Sequence, residues 1–285
     1  MLLKLLPRFR KHSIVRTRDE EVLKAADVCV DVGLVYDPLL LRFDHHQMNF
    51  LQTFESQRTP LSSAGLIYRH FGKEILSVML PDSHREDLLF LYRRVYYTII
   101  EAIDAMDNGL PLCSGDAAYR DFSGLAADIP RMNVTGKSLR LEEEVFEEAM
   151  DYSRSTLEAV VQYLRDVELP ASKLVQAAFE NRRQYNITGL VLVLQKDVPW
   201  KEAVKQINRN RIQVLYCVHP QGEHWKVTRT APPERQLEHS VVYEGLRNGT
   251  GVLNLRRDLA SALASTEEAA LSLVSALLAR KSRSK

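Results

Sequence analysis

Cysteine is scarce in this sequence, and its scarcity excludes two kinds of site. The 285 residues include three cysteines, Cys29, Cys113 and Cys217, which lie far apart and form no CxxC spacing. A disulfide framework and a cysteine-type zinc site both need more closely spaced cysteines. We therefore expect an intracellular protein in a reducing compartment, and the cytoplasm is among the compartments that this allows.

A long apolar run and an excess of charge of one sign are also missing. No stretch approaches the roughly 18 apolar residues that are needed to cross a bilayer, so we expect no membrane partner. The 38 basic and 37 acidic residues nearly cancel. Net charge therefore gives no global attraction to nucleic acid, and such a partner must be bound by a local patch.

The length of the chain favours two domains, since one domain usually has about 100 to 200 residues. Its 45% hydrophobic and 26% charged residues are typical of a globular protein. Near residues 170 to 185 the sequence changes from segments with helical spacing to strand-like apolar runs. We therefore place the division between 1–175 and 176–285. The start, "MLLKLLPRFRKH", is interrupted by Pro7 and lacks a small-residue cleavage site. It predicts neither a secretory signal nor a clear transit peptide, but the end of a helix that begins before Met1.

The first half alternates between short apolar runs and segments with helical spacing. "HSIVRT", "DVCVDVG" and "LLLRFDHH" are predicted strands, and "RDEEVLKAAD" is a predicted helix. This alternation predicts an α/β fold with a mostly parallel sheet and flanking helices. "SSAGLIYRHFGKEILSVML" predicts a helix with an N-cap at Ser62 or Ser63. Two longer predicted helices follow, one ending at Asn108-Gly109 and one at Pro170.

The second half predicts a smaller α/β domain. "GLVLVLQ" reads as a strand, and "RIQVLYCVHPQGEHWKVTRT" reads as two strands joined across the turn "HPQGEH". "STEEAALSLVSALLARK" predicts a closing helix. We interpret the group His219, Gly222, His224 and Trp225 as a solvated hairpin turn, with ligand contact as the alternative.

Potential metal ligands follow two neighbouring strands of the predicted sheet. Asp31 ends one strand, and Asp44, His45 and His46 end the next. In open parallel sheets, ligands bind beyond the carboxyl ends of the strands. Adjacent side chains leave a strand on opposite faces, so one histidine can ligate a metal while the other faces a substrate. A turn role for Asp31 and a surface role for the histidines stay open.

Two further aspartates lie three residues apart at the end of the predicted helix "EAIDAMDNG". These are Asp104 and Asp107, and helix capping would explain either of them. With Asp31 and His45, one of them completes a set of oxygen and imidazole ligands without thiolate, which suits Mn²⁺ or Mg²⁺. Such a set favours metal-assisted hydrolysis of a phosphate ester.

The segment "SSAG" allows two interpretations. Ser62, Ser63 and Gly65 can offer hydroxyl and backbone N–H groups to a phosphate at a helix start, which would make them substrate-binding residues. Helix capping and close helix packing explain the same residues equally well.

Six motifs fall in order along the first 170 residues: "VRTRD", "ADVCVDVG", "YDP", "FDHHQ", "LSSAGLIYRHFG" and "DAMDNG". In this order they closely resemble the MYG exonuclease family (the melanocyte-proliferating-gene proteins), a branch of the DHH phosphoesterase superfamily. The second half resembles the family more loosely, through "PWKEAV", "EGLRNGTG" and "TEEAALSLV". The resemblance implies a manganese- or magnesium-dependent 3′–5′ exoribonuclease in RNA processing, acting on single-stranded RNA in the mitochondrion and nucleus.

The resemblance also implies roles for particular residues and domains. Asp31 would bridge two ions, His45 would ligate one of them, and Asp107 or Asp104 would complete that ion's shell. His46, together with Asp44, would be the catalytic, phosphate-facing group. Residues 1–175 would form the DHH-like metal-binding domain, truncated at its N-terminus, and residues 176–285 the substrate-binding domain.

Two departures from the family pattern affect the expected activity. Family members carry a segment like "HNGxFHxDE", which supplies ligands to the first metal; here we expect that first strand and its ligands to be absent, leaving the two-metal site incomplete. The glycine-rich "GFIGG" stretch of the family is replaced by "DLASALAS" at residues 258–265, which has no glycine. The sequence therefore leaves open two alternatives to an exoribonuclease. One is a weak or inactive relative that binds RNA or protein, and the other is a pyrophosphate-type hydrolase.

The segment "LYRRVYY" combines arginine and tyrosine residues that can bind single-stranded RNA. At helical spacing, however, tyrosines also cover the edge of a core, and we favour this second interpretation.

Overall fold

The computed structural model describes residues 1–113, 115, 124–135, 142–209, 211, 213–230, 251–255 and 261–283. Contacts divide the chain into two compact units, Met1–Asp166 and Val167–Lys285. None of the described helices is both long enough and apolar enough to cross a membrane.

The first unit contains a small three-stranded sheet. Its strands are β1 (Cys29–Val30), β2 (Tyr36–Asp37) and β3 (Arg42–Phe43), in the order β1-β3-β2. Strand β1 is parallel to β3, whereas β2 is antiparallel to it because a tight turn joins the two. The predicted strand "HSIVRT" is wrong, because Ile14 and Val15 are exposed and lie in no helix or strand.

The first unit also contains α-helices, of which the one at Ser63–Met79 contacts β3. They are α1 (Glu20–Ala25), α2 (Ser63–Met79), α3 (Arg85–Val95), α4 (Glu101–Asp107), α5 (Leu125–Thr135) and α6 (Glu142–Tyr163), after a 3₁₀ turn at Leu2–Leu5. The N-cap of α2 is Ser62, whose side chain accepts the Gly65 N–H, as the sequence predicts. The long helix predicted before Asn108 is divided by a π-helical stretch at Tyr96–Ile100.

The core of the first unit is rich in aromatic side chains. Phe54 and Tyr96 stack with ring centroids 3.7 Å apart, and Tyr68 stacks on Tyr92 at 5.2 Å. All four rings are buried. The core interpretation of "LYRRVYY" is therefore confirmed for Tyr92 and Tyr96, which are not free to stack on RNA bases.

The second unit has a five-stranded sheet in the order β4-β5-β6-β8-β7. Its elements are α7 (Leu169–Glu180), a 3₁₀ turn (Arg182–Gln184), β4 (Val191–Val193), α8 (Lys201–Ile207), β5 (Tyr216–Gln221), β6 (His224–Arg229), β7 (Val252–Leu255), β8 (Ser261–Ala264) and α9 (Glu267–Arg283). Only β4 and β5 pair in parallel; the other pairs of described strands are antiparallel.

The prediction of a mostly parallel sheet is therefore wrong, although the α/β class is confirmed. In each described sheet a single strand pair is parallel, and short turns make the consecutive strands β2–β3 and β5–β6 antiparallel. Pro170 does not stop the helical run either, since π-helical Leu164–Glu168 leads into α7. Pro170 lies in the first turn of α7, where a missing N–H leaves no helical hydrogen bond unmade.

Two further predictions concern the hairpin and the glycine-free stretch of the second unit. The hairpin turn at "HPQGEH" is confirmed, with Gly222 at φ +61°. His219, however, is buried within β5, where its Nδ1 atom lies 3.0 Å from the Pro220 carbonyl oxygen. Of the glycine-free stretch "DLASALAS", residues 261–264 form β8, and residues 258–260 lie outside the described residues, as do residues 244–250 of "EGLRNGTG".

Candidate metal centre

Asp31 stands directly after β1, with a backbone that few side chains adopt. Its φ angle is +67°, in the left-handed region, and its N–H donates to the Phe43 carbonyl oxygen at 3.1 Å. Aspartate tolerates this conformation better than most residues do. The bend takes the side chain of Asp31 out of the regular alternation of the strand, and that side chain is half exposed.

His45 lies between two carboxylates. Its Nδ1 atom is 3.5 Å from Asp31 Oδ1 and 3.2 Å from Ser63 Oγ, and its Nε2 atom is 3.3 Å from Asp107 Oδ2. Strand alternation places His45 on the same face as Phe43, toward α2, and its side chain is buried. Asp107, the last residue of α4, is half exposed. Residues far apart in the sequence thus converge on one imidazole.

This arrangement of donors fits a divalent cation. A neutral imidazole has one N–H and one lone pair, yet both ring nitrogens of His45 face a carboxylate oxygen. One of these contacts therefore sets a lone pair against an anion unless a cation stands between them or the ring is protonated. Single donor atoms of Asp31, Asp44, His45 and His46 also lie within 4.8 Å of one another. The cluster can hold a metal ion.

Ser63 is placed to orient His45. Its hydroxyl lies 3.2 Å from Nδ1 and is buried. Metal-ligating histidines usually donate the N–H of the other ring nitrogen to a fixed partner, which sets the tautomer. A hydrogen bond from Nδ1–H to Ser63 Oγ leaves the Nε2 lone pair directed toward Asp107.

His46 and Asp44 form a second, tightly bonded pair. Asp44 is buried, and its Oδ1 atom accepts the His46 Nδ1–H at 2.6 Å and the His46 backbone N–H at 3.1 Å. Its Oδ2 atom accepts the Leu34 N–H at 2.7 Å. Burial alone would raise the pKa of the Asp44 carboxyl, but these hydrogen bonds outweigh it and hold the pKa below its usual range.

The same pairing raises the pKa of His46 above its usual value and so favours its protonated form. The hydrogen bond to Asp44 raises the pKa of the imidazole, and the nearby charges of Asp31 and Asp107 raise it further. The His46 side chain is half exposed, in contrast to buried His45. The expectation that the two histidines leave on opposite faces is wrong, because their ring centroids lie 4.3 Å apart and both rings approach Asp31. They differ in exposure alone, with His45 buried and His46 half exposed.

Asp104 lies in a separate hydrogen-bond network. Its Oδ1 atom accepts the N–H of Ser62 at 3.0 Å and the hydroxyl of Ser62 at 2.7 Å, and its Oδ2 atom accepts the hydroxyl of Tyr96 at 2.9 Å. The residue is fully buried, and burial raises the pKa of its carboxyl to about 6. Both oxygens are thus already hydrogen-bonded at the start of α2, whereas Asp107 faces His45.

The "SSAG" segment contacts both Asp104 and His45. Ser62 bonds Asp104, and Ser63 contacts His45. A Cβ atom on Gly65 would overlap both carboxylate oxygens of Asp104, so the close approach of that carboxylate requires glycine here. All three residues are buried. The capping and packing interpretation accounts for these contacts, and phosphate binding by this segment stays a prediction.

Two contributors to the centre were not predicted from the sequence. The hydroxyl of Tyr96 donates a hydrogen bond to Asp104, eight residues later in the chain. The sequence indicates this contact only in that both residues lie on one predicted helix. Leu34 acts through its backbone N–H on Asp44, which no side-chain pattern reveals.

Comparisons with known proteins identify the family to which this chain belongs. The family model MYG1_exonuc, described as "Uncharacterised protein family (UPF0160)", matches residues 1–246. The chain belongs to this family, which confirms the resemblance seen in the motifs. No solved structure matches the chain.

Curated relatives match most of the chain. The bovine (Bos taurus) protein named MYG1 exonuclease is 39% identical over 216 residues, 72% of this chain and 57% of that protein. The Caenorhabditis elegans MYG1 protein C27H6.8 is 34% identical over 266 residues, 87% of this chain and 78% of that protein. The human protein named MYG1 exonuclease is 35% identical over 240 residues, 79% of this chain and 64% of that protein. The chain thus spans less than two thirds of the length of the bovine and human relatives.

Proposed function

We propose that this chain is a metal-dependent phosphodiesterase that acts as a 3′–5′ exoribonuclease on single-stranded RNA. The observation that carries the proposal is the convergence of Asp31, His45 and Asp107, with His46 beside them. The name exonuclease, which the bovine and human relatives carry, supports the reaction class. By the family resemblance, we place its RNA processing in the mitochondrion or nucleus.

Asp31, His45 and Asp107 would hold Mn²⁺ or Mg²⁺, since oxygen and imidazole ligands suit these ions. When bound, such an ion neutralises charge on the phosphate and lowers the pKa of a coordinated water. By the family resemblance the site would hold two ions, and Asp31, His45 and Asp107 account for one of them. Asp104 is the alternative to Asp107 as a ligand of this ion.

The remaining residues bind and orient the substrate. Because Asp44 accepts the Nδ1–H of His46, the protonated ring would donate its Nε2–H to a phosphate oxygen. Ser63 keeps His45 oriented, and Ser62 and Gly65 fix the start of α2 through Asp104. The second unit supplies the substrate-binding domain in this proposal.

The test combines metal binding with RNA degradation by the whole chain. We expect Mn²⁺ to bind in calorimetry and to stimulate stepwise shortening of 5′-labelled RNA from its 3′ end. The double variant Asp31→Ala, His45→Ala should lose both properties, with activity at least about 1,000-fold lower. The matched control is Asp27→Asn, because Asp27 is an exposed aspartate before the same strand, at the end opposite to Asp31.

Each other outcome identifies an alternative. Unchanged RNA shortening in the double variant would contradict the proposal. Mn²⁺ binding with RNA binding but no turnover would indicate a noncatalytic relative. Turnover of pyrophosphate without turnover of short RNA would indicate a small-phosphate hydrolase.

A further inference from the structure

The first 18 residues form a strongly basic segment in a chain that is otherwise acidic. They contain no aspartate or glutamate and six basic residues, which are Lys4, Arg8, Arg10, Lys11, Arg16 and Arg18. The remaining 267 residues contain 32 basic and 37 acidic residues. Because the net charge of the whole chain is near zero, an anionic partner needs a local positive patch, and residues 1–18, the basic segment, can supply it.

The apolar side chains of the basic segment anchor it in the core of the first unit. Four of them are buried: Leu2, Leu5, Leu6 and Phe9. The Phe9 ring lies 6.0 Å from the Phe71 ring, which lies 5.6 Å from the Phe43 ring. The rings of Phe9 and Phe43 are thus at most about 12 Å apart, and His45 follows Phe43 by two residues. A strand of a few nucleotides can span the distance between the metal centre and the basic segment.

Two cations of the basic segment are already paired with carboxylates. Arg8 Nη2 lies 2.7 Å from Glu74 Oε2, and Arg16 Nη1 lies 3.9 Å from Glu142 Oε2. Each carboxylate offsets the charge of its arginine, so these two residues offer less to an anionic partner. The Glu74 pair also joins the basic segment to α2, the helix that begins at Ser63.

Three other cations have no carboxylate partner among the described residues. Arg10 and Lys11 are exposed. The Lys4 ammonium donates to the Arg10 carbonyl oxygen at 3.0 Å and to the His12 carbonyl oxygen, so it keeps its charge and lies against the backbone of residues 10–12. A carboxylate reaches this stretch at His12, whose Nε2 atom is 3.7 Å from Asp27 Oδ2. Lys4, Arg10 and Lys11 therefore form a compact group of uncompensated positive charge.

The chemistry of this group favours a phosphate backbone over a membrane. Lysine and arginine side chains bind phosphate oxygens, and a single strand of RNA offers a row of them. A segment that binds a membrane must also offer an apolar face. The large apolar side chains that the basic segment exposes are Ile14 and Val15, whereas its other large apolar side chains pack in or against the core.

We propose that Lys4, Arg10 and Lys11 bind the phosphate backbone of the RNA on the 5′ side of the nucleotide at the metal centre. This surface rests on the proposed function, and it adds that the chain holds its substrate at a second place. Because every nucleotide carries the same phosphate, the contact does not depend on the RNA sequence. A dinucleotide without a terminal phosphate has a single phosphate, which lies at the metal centre, so it cannot make this contact.

The first measurement is the salt dependence of RNA binding by the whole chain. A 5′-labelled single strand of about 20 nucleotides is bound in EDTA, which prevents turnover, and followed by fluorescence anisotropy. We expect Arg10→Gln, Lys11→Gln to lower the affinity about 10-fold at low salt. The slope of log affinity against log salt should fall in magnitude by about 0.7 for each lost contact, or about 1.4 in all.

Two control variants separate the position of the charge from its number. Arg10→Lys keeps the charge and should keep the native slope. The matched control Arg85→Gln, Arg165→Gln removes two exposed charges from the same unit and should also keep it. Each of these two arginines has a carboxylate beside it, since Glu86 follows Arg85 and Asp166 lies 2.6 Å from Arg165.

The second measurement compares the turnover of the same RNA and of the dinucleotide with Mn²⁺. We expect Arg10→Gln, Lys11→Gln to lower kcat/KM for the RNA by about 10-fold. Turnover of the dinucleotide and the affinity for Mn²⁺ should both stay native, because the metal centre is unchanged.

A native salt slope in Arg10→Gln, Lys11→Gln would overturn the surface, as would an equal loss of turnover for RNA and dinucleotide. Weaker binding of this variant to phosphatidylserine vesicles, with a native slope for RNA, would assign the cations to a membrane and overturn it equally. If the native chain degrades neither substrate, the exoribonuclease proposal fails, and the salt slope of RNA binding alone decides on the surface. Absence of RNA binding by the native chain would overturn both proposals.

Discussion

The replacement Asp104→Asn separates a structural role for this residue from metal ligation. The asparagine side chain has nearly the same shape, and its oxygen can accept both hydrogen bonds that Ser62 now donates to Asp104. Its amide group faces the Tyr96 hydroxyl, which can accept instead of donate. The fold should therefore be retained. What the variant removes is the ionisation of a fully buried carboxyl.

The size of the change in the free energy of unfolding follows from the pKa of Asp104, which burial raises from 3.8 to about 6. A raised carboxyl pKa means that the folded chain binds this proton more tightly than the unfolded chain. Its contribution to stability is complete below about pH 4 and is lost as the pH rises through about 6. Each pKa unit is worth about 1.4 kcal/mol, so the loss is about 3 kcal/mol. Asp104→Asn has no such proton to lose.

The assay is urea unfolding of the native chain and the variant at several pH values, followed by circular dichroism. We expect the free energy of unfolding of Asp104→Asn, relative to the native chain, to increase by about 3 kcal/mol from about pH 4 to about pH 7. Asp107→Asn is the matched control, since it lies three residues away, half exposed and facing His45. It should lose Mn²⁺ binding, which Asp104→Asn should keep. A difference that is constant with pH, or metal binding lost in Asp104→Asn and kept in Asp107→Asn, would refute the reasoning.

Three further predictions concern neighbouring residues. Gly65→Ala sets a Cβ against the Asp104 carboxylate and should lower the free energy of unfolding by about 2 kcal/mol; a native urea midpoint would contradict the close packing. Ser63→Ala removes the hydroxyl partner of His45 and should weaken Mn²⁺ binding in calorimetry by about 10- to 100-fold, with a loss of stability near 1 kcal/mol; native affinity would show that Ser63 does not orient the ring. Leu34→Gly relieves a left-handed leucine and should raise the thermal midpoint slightly, by about 0.5 kcal/mol in stability; a clear loss would show that the leucine packs on the fold.

Several features could be predicted from the sequence because they depend on near neighbours. The order of the motifs identified the family, and the serine before an apolar helical run identified the N-cap of α2. Strand alternation predicted opposite faces for His45 and His46, but the two rings lie with centroids 4.3 Å apart, since the residues follow the end of β3. The hairpin around Gly222 followed from a turn sequence between two apolar runs.

Other features depend on contacts between distant segments, and only the tertiary structure decided them. Asp104 and Asp107 are equivalent by local pattern, yet one is buried against Ser62 and the other faces His45, because α2 packs over one side of their helix. Alternating segments did not reveal that most of the described strand pairs are antiparallel, because strands distant in the sequence, such as β6 and β8, also pair in this way. The Leu34 N–H bond to Asp44 is a backbone contact without any side-chain signature, so the sequence determined the ligand types while the fold determined which of them meet.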